Sequence, residues 1–82
     1  MNDNYSKEFE RNKILGDGIG KARKNAGLTM EQLVDKLKQY GVTISTDTLY
    51  HMEIGLIGIH DFELLAISKS LNVSIESLFS IE

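Results

Sequence analysis

Apolar side chains recur with helical spacing along most of the chain. In the first such segment, which begins at about Glu8 or Arg11, four apolar positions share one face of a helix. Similar patterns follow along the rest of the sequence, at about 30–37, 46–53, 61–71 and 75–79. No stretch alternates between apolar and polar residues over the length of an ordinary strand, although 42–45 would fit a very short one. The pattern predicts an all-α fold with five helices.

Capping residues mark the ends of the predicted helices. Thr29 followed by Gln32 forms a capping box at the start of the second helix. Either Ser45 or Thr46 can cap the third, in which Leu49 and Met52 are expected to face inward. Glycine follows each of the first three helices, as is common at helix C-termini, at positions 27, 41 and 55.

Two further expectations concern helix interiors. Glycines occupy positions 16, 18 and 20 of the first helix, and each costs about 1 kcal/mol relative to alanine. We therefore expect the N-terminal part of this helix to be frayed or broken. In the fourth helix we expect the core-facing side chains to be Phe62, Leu65, Leu71 and either Ala66 or Ile67.

Composition narrows the possible classes of protein. The 82 residues suffice for one domain, and the absence of cysteine removes disulfides and zinc fingers and favours a cytoplasmic location. The longest apolar runs are short and the N-terminus is polar, so we expect neither a membrane span nor a secretory signal. His51 and His60 lack partners with ligand or triad spacing, so we expect no enzymatic activity, no metal and no cofactor.

Four sequence segments occur in an order that is typical of one family. They are Gly-Leu-Thr at 27–29, Met-Glu-Gln-Leu at 30–33, Thr-Leu-Tyr-His-Met-Glu-Ile-Gly at 48–55 and the run from Glu63 to Phe79 that ends in Leu-Asn-Val-Ser-Ile-Glu-Ser-Leu-Phe. In this order the segments resemble the Cro/C1-type (xenobiotic-response-element) helix-turn-helix family of phage repressors and bacterial regulators, over residues 15–79. The resemblance implies a five-helix, lambda-repressor-like DNA-binding domain over residues 15–82. Residues 1–14 are then an N-terminal extension, and whether it belongs to the first helix stays open.

The resemblance also implies roles for individual residues. In the family, a basic residue at the position of Arg23 pairs with a glutamate at the position of Glu53. Base contacts come from the start and the next turn of the recognition helix, here at Ser45, Thr46, Asp47, Tyr50 and His51. Phosphate contacts come from positions that match Thr29, Met30 and Ile54. The implied function is sequence-specific binding of double-stranded DNA by a repressor-like transcriptional regulator, acting as a homodimer on two half-sites.

Charge and one apolar loop favour an alternative function. The net charge is −3, and its distribution is uneven: residues 1–28 carry six basic and four acidic side chains, a balance of +2, whereas residues 29–82 carry three and eight, a balance of −5. The recognition helix has no Arg, Lys, Asn or Gln. Leu56, Ile57 and Ile59 belong either to the core or to an interface with a partner. A protein-interaction module that keeps the fold without strong DNA binding therefore stays open.

Overall fold

Within residues 3–79, five α-helices and one 3₁₀ turn make up the secondary structure. The computed structural model describes residues 3–79, with side chains from residue 7 onward. Residues 1–2 of the predicted N-terminal extension and residues 80–82 of the predicted domain lie outside the described part. The helices are α1 (Asp3–Asn25), α2 (Met30–Leu37), α3 (Thr46–Glu53), α4 (Asp61–Leu71) and α5 (Ile75–Leu78), with the 3₁₀ turn at Lys38–Tyr40. The prediction of an all-α fold is confirmed for residues 3–79, where the 42–45 connection is irregular rather than a strand.

Side-chain caps fix where the helices start. The Oγ1 atom of Thr29 accepts the N–H of Gln32 at 3.1 Å, and the Oε1 atom of Gln32 accepts the N–H of Thr29 at 2.8 Å. Ser45 rather than Thr46 caps α3, because its Oγ atom accepts the N–H of Thr48 at 3.1 Å. These local bonds satisfy backbone donors that a helix leaves free in its first turn.

A single core lies between the five helices. Each helix contributes at least one buried apolar side chain: Leu15, Ile19, Leu33, Leu37, Leu49, Met52, Ala66, Ile67, Leu71 and Leu78. Burial of this apolar surface is the main term that stabilises a domain of this size. Among residues 3–79, no helix combines the length and the apolar character that a membrane crossing requires.

The predicted inward face of α4 is wrong at two positions. Phe62 is 77% exposed and Leu65 is also exposed, whereas Ala66, Ile67 and Leu71 are buried. The inward stripe runs through the half-buried Leu64 and the buried positions 67, 68 and 71, which have ideal helical spacing. Ser68 interrupts the apolar pattern of that stripe, but its hydroxyl is satisfied because it donates to the carbonyl oxygen of Leu65 at 3.0 Å. Because Ser68 makes the inward face of α4 less apolar, the sequence pattern favoured the face that carries Phe62 and Leu65.

The expectation of a frayed or broken α1 is also wrong. The helix is continuous from Asp3 to Asn25, and two of its glycines, Gly16 and Gly18, lie where other backbone segments approach closely. A Cβ atom on Gly16 would overlap the carbonyl oxygen of Met52, and one on Gly18 would overlap the carbonyl oxygen of Leu78. The low helix propensity of these residues is therefore offset by close packing of α1 against α3 and α5.

Candidate nucleic-acid interface

The helix α3 packs against α1 and α2. Leu49 and Met52 are buried in the core, and the C-terminal end of α3 lies against Gly16 of α1. After α3, Gly55 adopts a left-handed conformation with φ of 78°, and its backbone packs onto that of Lys13 so closely that a Cβ would lie 2.6 Å from the Cα of Lys13. The position of α3 is thus set by backbone contacts as well as by side chains.

A buried ion pair joins α1 to the last residue of α3. The Nε atom of Arg23 donates to Oε2 of Glu53 at 2.7 Å, and its Nη2 atom donates to Oε1 at 3.0 Å. The remaining donor Nη1 bonds the carbonyl oxygen of Leu28 at 2.9 Å, in the turn before α2. The structure therefore contains the Arg23–Glu53 pair that the family resemblance implies, and the guanidinium also ties the start of the motif to its end.

The environment of Arg23 keeps it charged. The hydrogen-bonded carboxylate of Glu53 raises the pKa of Arg23 above its ordinary value, and this effect outweighs the opposing effect of burial. Gly20 contributes space for the pair, since a Cβ there would lie only 3.1 Å from Oε1 of Glu53. Sequence analysis missed this role of Gly20, because nothing in the local pattern shows which side chain packs above a helical glycine.

The candidate base-contacting residues lie together on the outward surface of α3 and its cap. Ser45, Asp47 and Tyr50 are exposed, while Thr46 and His51 are half-buried. The rings of Tyr50 and His51 lie 5.8 Å apart at an interplanar angle of 54°. The hydroxyl of Ser45 already donates to Oγ1 of Thr48 at 3.1 Å in addition to its capping role. A base contact by Ser45 would have to compete with these bonds, so the other four side chains are better placed to contact bases.

Two of the three candidate phosphate contacts have their backbone N–H engaged within the domain. The N–H of Ile54 donates to the carbonyl oxygen of Tyr50 at 3.0 Å, and that of Thr29 donates to Gln32. A phosphate contact at Thr29 would therefore use its hydroxyl proton. Met30 is the first residue of α2, where a helix N–H has no acceptor within the helix, and it remains the best backbone donor of the three.

The loop that follows α3 divides its apolar residues between the core and the surface. Ile59 is half-buried and packs against the core, whereas Leu56 is 59% exposed and Ile57 is also exposed. Leu56 shares a surface hollow with Phe9 of α1, which is exposed as well. Of the three residues predicted to lie in the core or at an interface, Ile59 packs against the core, whereas Leu56 and Ile57 lie on the surface.

One basic residue lies beside the end of α3 although it is far away in sequence. Lys13 is exposed, and its backbone contacts Gly55, the second residue after α3. Sequence analysis did not select Lys13, because only the crossing of α1 and the 54–57 loop brings it close to α3. It adds one positive charge near the C-terminal end of α3, a helix that contains no lysine or arginine.

Comparison of the chain with protein-family models, with curated proteins and with solved structures gives no match. The resemblance to the helix-turn-helix family therefore rests on the sequence segments quoted above.

Proposed function

We propose that this chain is a Cro/C1-type helix-turn-helix domain with a lambda-repressor-like fold, which binds double-stranded DNA sequence-specifically as a transcriptional regulator. The observation that carries the proposal is the outward surface of α3. Its inner side is fixed by the core and by the Arg23–Glu53 pair, while Asp47 and Tyr50 project into solvent. A helix that is held rigidly and carries exposed polar side chains suits base recognition, because base contacts require precise placement.

The dimensions of α3 are compatible with the major groove of B-DNA. An α-helix with its side chains is about 10–12 Å across, and the groove is about 12 Å wide. Thr46 can bond several base edges or touch a thymine methyl group, and His51 can donate to guanine N7 or O6. Met30 at the start of α2 would bind the adjacent phosphate through its N–H, as helix N-termini commonly do.

A second copy of the chain completes the proposed complex. One short helix contacts only a few base pairs, so useful specificity requires two half-sites about 34 Å apart and a homodimer that spans them. The proposed role also requires a compartment that contains DNA, in keeping with the cytoplasmic location expected from the sequence.

Affinity for non-specific DNA should be low. The chain carries a net charge of −3, and α3 contains no lysine or arginine. Lys13 is an exposed basic residue whose backbone lies against Gly55, after the end of α3, whereas the guanidinium of Arg23 is already paired with Glu53. Few phosphates would be neutralised, so the dependence of binding on salt should be shallow.

The test is selection of bound duplexes from a random library at low salt, followed by gel retardation with the enriched sequence. We expect an enriched motif, and we expect the double variant Thr46→Ala/His51→Ala to lose specific binding while its far-ultraviolet circular dichroism stays unchanged. Gln39→Ala, which removes an exposed polar side chain outside α3, is the matched control and should bind normally. The proposal fails if no duplex is enriched or retarded.

The alternative, a protein-interaction module, is favoured by one specific observation. Phe9 and Leu56 are exposed beside the same hollow, the neighbouring Ile57 is exposed to a smaller extent, and such apolar surface often marks a protein interface. Retention on heparin at low salt separates the two functions, since a DNA-binding domain should be retained despite its low isoelectric point. A chain that flows through heparin and enriches no duplex is the interaction module.

A further inference from the structure

We infer that Asp47 selects a cytosine in each half-site and excludes guanine and thymine from that position. The inference rests on the proposed function and adds to it the chemical identity of one recognised base. It starts from an unusual property of α3: its outward surface has no lysine or arginine but does have one carboxyl side chain, that of Asp47.

The structure leaves the carboxylate of Asp47 free to contact DNA. Asp47 is exposed and lies in the first turn of α3. Within residues 7–79, the ion pairs join Arg23 to Glu53 and Lys38 to Asp35, so no described cation neutralises Asp47. A negative charge here would repel the phosphate backbone, and only a hydrogen-bond donor on a base edge can compensate for its loss of water.

The major-groove edges of the four bases decide which donor that is. An ionised carboxylate is only an acceptor. Guanine presents N7 and O6 and thymine presents O4, all of which are acceptors and would face Asp47 with repulsion. The N6 amine of adenine lies between two acceptors, its own N7 and O4 of the paired thymine, whereas the N4 amine of cytosine has an acceptor, O6 of the paired guanine, on one side only. Cytosine is therefore the base that suits a carboxylate best.

Asp47 and His51 would contact different base pairs. They are four residues apart on one face of α3, about 6 Å along the helix axis, which corresponds to roughly two base-pair steps at 3.4 Å each. His51 can donate to guanine, so its contact does not depend on the base opposite Asp47. A change at Asp47 should accordingly alter one position of the recognised sequence and leave the position of His51 unaltered.

The experiment is a parallel selection from random duplexes with the unaltered chain, Asp47→Asn and Asp35→Asn. An asparagine amide makes two bonds to adenine N6 and N7, so Asp47→Asn should change one position of the motif from cytosine to adenine. We expect the unaltered chain to bind the adenine duplex about tenfold more weakly than the cytosine duplex, and Asp47→Asn to reverse this order. Asp35→Asn removes the same charge from an exposed site on α2 and should leave the motif unchanged.

The possible failures are distinguishable. If Asp47→Asn strengthens binding to every duplex equally and keeps the motif, Asp47 acts only by general repulsion and the inference is overturned, while the proposed function stands. If none of the three proteins enriches a motif, the proposed function is overturned and the inference with it. Circular dichroism of each variant confirms that a change of motif comes from a folded domain.

Discussion

Removing one partner of the Arg23–Glu53 pair should destabilise the domain strongly. The two side chains are 9% and 8% exposed, and two charge-assisted bonds join them. Loss of one partner from such a buried pair costs about 3–5 kcal/mol, because the other charge is left without compensation. A domain of 82 residues has a free energy of unfolding of roughly 4–12 kcal/mol, so one substitution removes a large part of it.

The two single variants should differ in severity. A guanidinium cannot lose its proton under ordinary conditions, whereas a carboxyl group can take one up. Glu53→Met leaves an obligatory charge next to the core, and we expect it to be the more damaging change. Arg23→Met leaves an acid that can be neutralised, although it also removes the donor to the carbonyl oxygen of Leu28.

Urea unfolding followed by circular dichroism measures these effects as shifts of the midpoint at constant slope. The double variant Arg23→Met/Glu53→Met is the decisive control. Two apolar side chains can replace a buried ion pair at little cost, so the double variant should be more stable than Glu53→Met alone. If Glu53→Met costs less than about 1 kcal/mol, or if the two single losses simply add in the double variant, the pair does not hold α3 as argued.

Two more predictions concern packing. Gly18→Ala should lower the free energy of unfolding by about 1–3 kcal/mol despite the better helix propensity of alanine, because its Cβ would overlap the backbone of Leu78. The control Asp17→Ala changes an exposed neighbour and should alter the free energy of unfolding by less than about 0.5 kcal/mol in the same urea assay. Phe62→Ser should leave the midpoint nearly unchanged, whereas Ile67→Ala on the same helix should cost about 2–5 kcal/mol; a large loss for Phe62→Ser would contradict the orientation of α4.

The helix ends could be predicted from the sequence because they depend on local chemistry. A threonine three residues before a glutamine satisfies the same backbone donors in any fold, and the structure has this box at Thr29. The orientation of α4 could not be predicted in this way. Its sequence is apolar on more than one side, and only the position of α2 and α1 against it determines that Phe62 faces solvent.

In the candidate site, too, local sequence predicts some features, whereas others depend on how distant segments pack. Ser45, Asp47 and Tyr50 lie on the outward side of α3, in keeping with a helical pattern in which Leu49 and Met52 face inward. The roles of Gly20 and Lys13 depend on contacts between segments more than thirty residues apart, at Glu53 and Gly55. Spacing within one helix carries no information about such contacts.

The backbone contacts at Gly16 and Gly18 affect how a saturation mutagenesis of this domain should be interpreted. Every other amino acid has a Cβ atom, so no substitution at these positions is conservative, whatever its polarity or charge. Both positions should rank among the most sensitive in any assay that requires folded protein, although both lie buried between helices rather than on the outward surface of α3. Sensitivity that is equal in an abundance assay and in an assay of the proposed DNA binding would identify such positions, whereas loss confined to the second assay would identify residues of the proposed DNA contact.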